Sequence, residues 1–289
     1  MKNPMLMIML AGAVLLAGCH EYRVEVALDE SGAGSRQVTL DTEHRLGSDT
    51  RWLLGLEGGS WQESSVKSTD GYRYRRTWDV RSLDQWTSAG GTVMRAAAEG
   101  SVNLMSSIQV EKIQGPDGWR QVYRETLSWQ GLAESVADVM GRGYGDLLRR
   151  EFPSLPDSVV FEARGVMVAC IALNWTELIE AEGEQGGEAD LEGRFFELTA
   201  HRMHEAGVDA GLIQRVLNRT ADWEIYDRIP EVLPGLEECA QSSFELQVTM
   251  PGAVTGGNAD EVEGRTAIFK VDLAQTMGEP VVLEVESRL

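Results

Sequence analysis

The sequence has little positive charge, little histidine and little cysteine. Lys and Arg number 26 against 46 Asp and Glu, for a formal net charge of −20. So acidic a chain excludes sequence-independent nucleic-acid binding, which draws its affinity from basic groups laid on phosphates. It excludes a polybasic grip on anionic lipid as well. Four histidines and three cysteines leave little material for a metal centre. The common catalytic and cofactor signatures are missing: there is no G-x-S-x-G, P-loop, G-x-G-x-x-G, C-x-x-C or H-E-x-x-H. No cofactor and no nucleic-acid partner is expected. No apolar run reaches the roughly 20 residues of a spanning helix. What remains is 43% apolar and 25% charged residues over 289 positions, the composition of a globular chain of one or two domains with a real core.

The N-terminus carries the sharpest signal. Lys2 is followed by an apolar run from Met5 to Ala17, with no acidic residue before Glu21. This is an n-region and h-region of signal-peptide length, expected to cover residues 1–18. The run ends in Leu16-Ala17-Gly18-Cys19, which resembles the lipobox of bacterial lipoproteins. Small residues at 17 and 18 let the peptide enter a narrow protease site. The Cys19 thiol can take a diacylglyceryl group, and its amine, once freed by cleavage, a further acyl chain such as palmitate. At about 0.8 kcal/mol per buried CH₂, two or three chains would anchor the protein almost irreversibly. The competing reading is an uncleaved leader with an incidental Cys. His20 and Glu21 follow the Cys, without the Asp of the inner-membrane sorting rule. The resemblance therefore implies a cell-envelope protein on the periplasmic face of the outer membrane.

With Cys19 acylated, Cys170 and Cys239 remain. A Cys170–Cys239 disulfide would close a loop of about 70 residues, worth roughly 4 kcal/mol on a chain-entropy account. Two buried free thiols are the other reading, and both stand at this point.

Alternation marks the two ends of the chain as strands. Tyr22, Val24, Val26 and Leu28 share one face, and Val38 and Leu40 resume the period after the turn-rich Asp29–Ser35. Further strands are expected over Trp61–Val66, Gly71–Val80 (where Arg76 interrupts an otherwise apolar face), Val102–Val110 and Val122–Trp129. Near the C-terminus they are expected around Phe244–Met250, Ala267–Leu273 and Val281–Val285. A short helical turn capped by Ser82 is read at Ser82–Trp86. The middle is helical: Leu132–Leu147, Phe161–Glu180, a helix marked by Leu191, Phe195, Leu198 and Met203, and one capped by Asp209. Residues 182–188 read as a flexible linker. The apolar centre of Phe161–Glu180 is too short to span a bilayer and is expected to be buried. The fold class is therefore α+β. An antiparallel sheet forms from N- and C-terminal strands, with the helical middle packed on or beside it. The domain limits are 19–129 with 243–289 for the β-rich part and 130–242 for a helical insertion.

Three stretches resemble the bacterial lipoproteins with an LppM-type domain. They are the hairpin Tyr22–Leu28 with Gln37–Leu40, Asp70-Gly71-Tyr72-Arg73-Tyr74 with Leu83-Asp84-Gln85-Trp86, and Met250–Val254 with Asn258–Asp260, Gly264–Thr266 and Val271–Leu273. The likeness extends over residues 22–129 and 243–287. Ile268 and Phe269 stand where the family usually has a Trp, and the helical middle has no matching motif. The resemblance implies an envelope lipoprotein with an α+β domain, a type associated with binding a lipid or other apolar ligand. It implies no particular ligand residues.

Two local features were weighed as sites. His201 and His204, with Glu197 one turn earlier, lie on one helical face; they could hold part of a metal site, and are read as a solvated face because no other His lies outside the N-terminal region. Trp52 with Leu53-Leu54-Gly55-Leu56 could dip toward the membrane or a ligand cavity, or be ordinary aromatic core. The function expected is a non-catalytic, membrane-anchored lipoprotein that binds a lipid or other apolar ligand. The alternative is an interaction subunit docking an envelope protein through the helical middle; a hydrolase with unrecognised acids comes third. Cells grown on a labelled fatty acid are expected to label this polypeptide, and Cys19→Ser to abolish the label; an unlabelled, uncleaved native chain would overturn the assignment.

Overall fold

The computed structural model describes residues 20–56, 61–66, 71–97, 102–116, 118–180, 188–220, 228–240 and 242–289. Its described residues form two compact units, Gly131–Pro234 and His20–Gln130 with Gly235–Leu289. Cys19 lies outside the described residues, as does most of the expected linker.

The β-rich unit begins with the expected hairpin. Strands β1 (His20–Leu28) and β2 (Gly34–Thr42) pair antiparallel from Glu21↔Asp41 to Leu28↔Gly34. Asp29 Oδ1 closes the turn by accepting the amide N–H of Ser31 at 2.8 Å and of Ala33 at 3.1 Å, an Asx arrangement that stands in for a backbone turn. Gly32 there has φ +87°, the left-handed region glycine enters freely. The chain continues through β3 (Gln62–Val66), β4 (Gly71–Val80), β5 (Gly91–Arg95), β6 (Asn103–Gly115) and β7 (Gly118–Gln130). It resumes with β8 (Ser242–Thr249), β9 (Val254–Gly257), β10 (Glu261–Glu263), β11 (Thr266–Asp272) and β12 (Val281–Arg288).

The α+β class and the sharing of sheets by both chain ends are as expected. The number of sheets differs. A seven-stranded sheet has the order β10-β11-β8-β1-β2-β4-β3, and a five-stranded sheet the order β5-β6-β7-β12-β9. The ends meet twice. In the larger sheet β1 runs parallel to β8, Tyr22 opposite Phe244; in the smaller, β12 lies antiparallel to β7, Val285 opposite Tyr123. Parallel neighbours need a long crossover connection, and here everything between Leu28 and Ser242 supplies it. Each sheet turns one apolar face inward: Val24, Leu40, Tyr74, Leu246 and Phe269 from one, Leu104, Ile108, Leu127 and Val285 from the other are buried. The sheets thus cover each other's inner face, a role that the sequence reading gave to helices. β5, β9 and β10 were not anticipated. They are short strands rich in glycine or charge, and they lie at or next to sheet edges.

In the helical unit, Leu132–Glu151 buries Val136, Val139, Met140 and Leu147 as the spacing predicts. Gly141 lets the next helix approach: a Cβ there would lie 2.5 Å from Val168 Cγ2. The expected helix Phe161–Glu180 is instead two, Asp157–Leu173 and Trp175–Glu180. Asn174 breaks it, donating its Nδ2–H to the Cys170 carbonyl at 2.7 Å and so taking over a backbone acceptor at the helix end. Burial of that apolar segment is one-sided: Met167 and Ile171 are inside, whereas Phe161 and Leu173 are 71% and 83% exposed. Phe195 and Met203 of helix Glu188–Glu205 are buried, and Asp209 caps helix Ala210–Thr220 through Gly211 and Leu212. Among the described residues no helix is long and apolar enough to cross a membrane.

Gly34 shows how tightly the hairpin is drawn, since a Cβ there would stand 1.9 Å from the Ala27 carbonyl oxygen and 3.1 Å from Trp86. Gly34→Ala is expected to destabilise the chain by about 1–3 kcal/mol in urea unfolding, the usual cost of overpacking. An unchanged midpoint would refute that close approach.

Candidate functional site

Strand parity puts positions 36, 106, 123 and 125 on the inward faces, where apolar residues would suffice. Instead Arg36 of β2 crosses to the other sheet. Its Nη2 lies 2.6 Å from Glu125 Oε1 of β7, and its Nη1 donates to the Ala89 carbonyl at 3.1 Å. Arg36 is 4% exposed and Glu125 is fully buried. Tyr123 donates its hydroxyl to Glu125 Oε2 at 2.6 Å, and Ser106 Oγ donates to Glu125 Oε1. A buried carboxylate is tolerable only with such a full set of partners. Burial pushes the Tyr123 phenol well above its ordinary range, and the charge of Glu125 adds to that. Tyr22 makes a second crossing, donating its hydroxyl to Leu54 O at 2.9 Å and Val93 O at 3.2 Å.

Beside Arg36 the inner faces leave a cavity of about 150 Å³, open on one side. Tyr22, Trp61, Trp78 and Phe244 give it an aromatic wall, with Arg36 and Arg76 among the other wall residues. Trp78 faces both cations: the Arg76 guanidinium carbon is 4.4 Å and that of Arg36 5.8 Å from the ring centroid. Such stacking holds a guanidinium in place by its π face. The small residue Gly91 borders the cavity at φ +138°, with nothing within 4 Å of where a Cβ would point. The bare backbone there leaves the space open.

The sequence-derived candidates fare differently. The Trp52–Leu56 segment reaches the cavity, but through Leu54 and Gly55; Trp52 is not on the wall. Cys170 and Cys239 are both free thiols, one in each unit. Cys239 is buried and donates to the Leu273 carbonyl at 3.4 Å. Burial raises the pKa of both thiols, that of Cys239 far more, so neither has the depressed pKa of a nucleophile. His201 pairs with Glu205 at 3.4 Å on an exposed face, and Glu197 and His204 are exposed too. No group of His, Cys, Asp and Glu able to hold a metal occurs among the described residues. His20 opens β1 with its Nε2 2.9 Å from Glu238 Oε2. The residues that shape the site, Arg36, Arg76, Ser106 and Glu125, were not singled out as a site from sequence, although Arg76 stood out as a break in an apolar face.

Glu125→Gln keeps the shape and removes the charge that Arg36 needs. The variant is expected to lose about 3–5 kcal/mol of stability in denaturant unfolding, the range for breaking a buried pair. The double substitution Arg36→Met with Glu125→Leu is expected to recover most of that loss. A stable single variant would mean that the pair is not held as described.

No family model matches the sequence, and no curated protein does. Among solved structures, the chain resembles the NMR structure of the Mycobacterium tuberculosis LppM folded domain at 8% sequence identity. The TM-score is 0.35, over 95% of this chain and 93% of that one. The likeness is a distant one.

Proposed function

We propose that the chain is a membrane-anchored, non-catalytic envelope lipoprotein whose β-rich unit binds a ligand with an apolar body between its two sheets. The anchor is acylated Cys19, on the periplasmic face of the outer membrane. The observation that carries the binding half is the aromatic-walled cavity beside Arg36. Interiors close-pack to the density of organic crystals, so an open space walled by Trp61, Trp78, Tyr22 and Phe244 calls for an occupant. Size limits that occupant. A volume near 150 Å³ takes a ring about the size of benzene. Two long acyl chains do not fit inside, so a lipid would enter only in part.

A second reading has its own support. Phe161 and Leu173 on one helix and Leu198 on another are exposed in the helical unit, at 71%, 83% and 48%. Large apolar side chains on a surface are suited to docking another protein. The partner under this reading is a further envelope protein.

Benzyl alcohol titrated into the purified full chain in nonionic detergent is expected to raise the melting temperature saturably, as any ligand selective for the folded state does. Thr92→Phe, which places a ring in the cavity, is expected to remove the shift. A native chain with no saturable shift would count against the binding half.

A further inference from the structure

The charge of the cavity wall is the reverse of the charge of the chain. Acidic residues outnumber basic ones 46 to 26 overall. Yet among the described residues no Asp or Glu lies on the wall, whereas Arg36, Arg76 and Arg95 do. Arg36 is balanced by Glu125. Arg76, half-buried on β4, has no carboxylate partner among the described residues; its guanidinium carbon lies 4.4 Å from the Trp78 ring centroid. Desolvating a cation without a counter-charge is costly. The described wall therefore carries an excess positive charge beside its aromatic rings.

Hydrogen-bonding capacity points the same way. The wall's hydroxyls from Tyr22 and Ser106 are already donated to partners inside the protein. What is left over is donors. Arg36 Nε and Trp61 Nε1 are buried and have no partner among the described residues. The Arg76 guanidinium lies over the Trp78 ring, 4.4 Å from its centroid, and a cation seated on a π face keeps its in-plane N–H groups for other acceptors. That edge geometry suits a planar or tetrahedral oxyanion held by two parallel bonds. A wall that offers unsatisfied donors, surplus positive charge and aromatic rings fits an acceptor-rich anion carried on a flat apolar body.

We infer that the cavity is an oxyanion site, in which Arg76, Arg36 Nε and Trp61 Nε1 hold a phosphate or carboxylate group while Trp78 and Phe244 cover the apolar body attached to it. This rests on the binding half of the proposed function and narrows it to a ligand class. The cavity's size favours a small aromatic or short-chain oxyanion, with the phosphate headgroup of a lipid as the other source of the same chemistry.

The test is calorimetric titration of the full chain in nonionic detergent, at fixed chloride, with phenyl phosphate, benzyl alcohol and dihexanoyl phosphatidic acid. Phenyl phosphate is expected to bind at least about tenfold more tightly than benzyl alcohol, a difference of about 1.4 kcal/mol. Arg76→Gln, at a half-exposed position outside the Glu125 network, is expected to erase that preference and leave benzyl alcohol unaffected. Trp61→Phe, which keeps the ring and removes the N–H, is expected to weaken phenyl phosphate alone. Tighter binding of dihexanoyl phosphatidic acid than of phenyl phosphate assigns the oxyanion to a lipid headgroup, and the opposite order to a soluble compound; either order supports the site. Benzyl alcohol binding as well as phenyl phosphate, or an equal loss of both in Arg76→Gln, overturns the oxyanion site and leaves the apolar cavity standing. Binding of neither compound overturns both.

Discussion

The Arg36–Glu125 ion pair is the constraint on which the geometry of the β-rich unit turns. It joins β2 of one sheet to β7 of the other, with both side chains buried. Apolar contacts alone would let two sheets slide over each other at small cost, because hydrophobic burial has no direction. A charge pair with Ser106, Tyr123 and the Ala89 carbonyl around it has direction and fixed distances. It ties one position on each sheet together. Trp86 helps from the side: its Nε1 donates to Gly32 O at 2.9 Å, and its ring meets that of Tyr123 edge-on. Arg36 also lines the cavity between the inner faces.

The topology explains why so much sequence can intervene between partners. β1 and β8 are parallel neighbours some 220 residues apart, and β7 and β12 are antiparallel neighbours more than 150 apart. The helical unit leaves the β-rich unit after Gln130 and returns before Gly235, a continuous segment between two strands. Contacts of such long range close slowly. Local devices reduce the burden: the Asp29 turn, the close approach at Gly34, and the long ladder from Asn103↔Gln130 to Gly115↔Gly118.

Much of the fold was legible in periodicity. Alternation at Tyr22–Leu28, Phe244–Met250 and Ala267–Leu273 corresponds to half-buried strands, since a period of two needs one wet face and one dry face. That there are two sheets was not legible, because parity says which face is buried and not what buries it. Helix Phe161–Glu180 was read through Asn174, whose side-chain bond to Cys170 is a tertiary choice among several open to asparagine. The site was half legible. Arg76 broke an apolar face, as do Arg36 before Val38 and Glu125 before Leu127, and a charge at inward parity signals either a pairing or a ligand. Which charges meet across the sheets depends on their packing, and period-two arithmetic does not carry that information.

β1 starts at His20, whose partner in the ladder is Ser242 and whose imidazole faces Glu238. With an extended residue covering only about 3.3 Å, a chain acylated at Cys19 has no leash between fatty chains and folded sheet. Under the proposed anchoring, the sheet would be bolted to its bilayer rather than floated on a cord. It would patrol the membrane in two dimensions, and any cargo would have to come to it at the lipid surface or be carried there by something else.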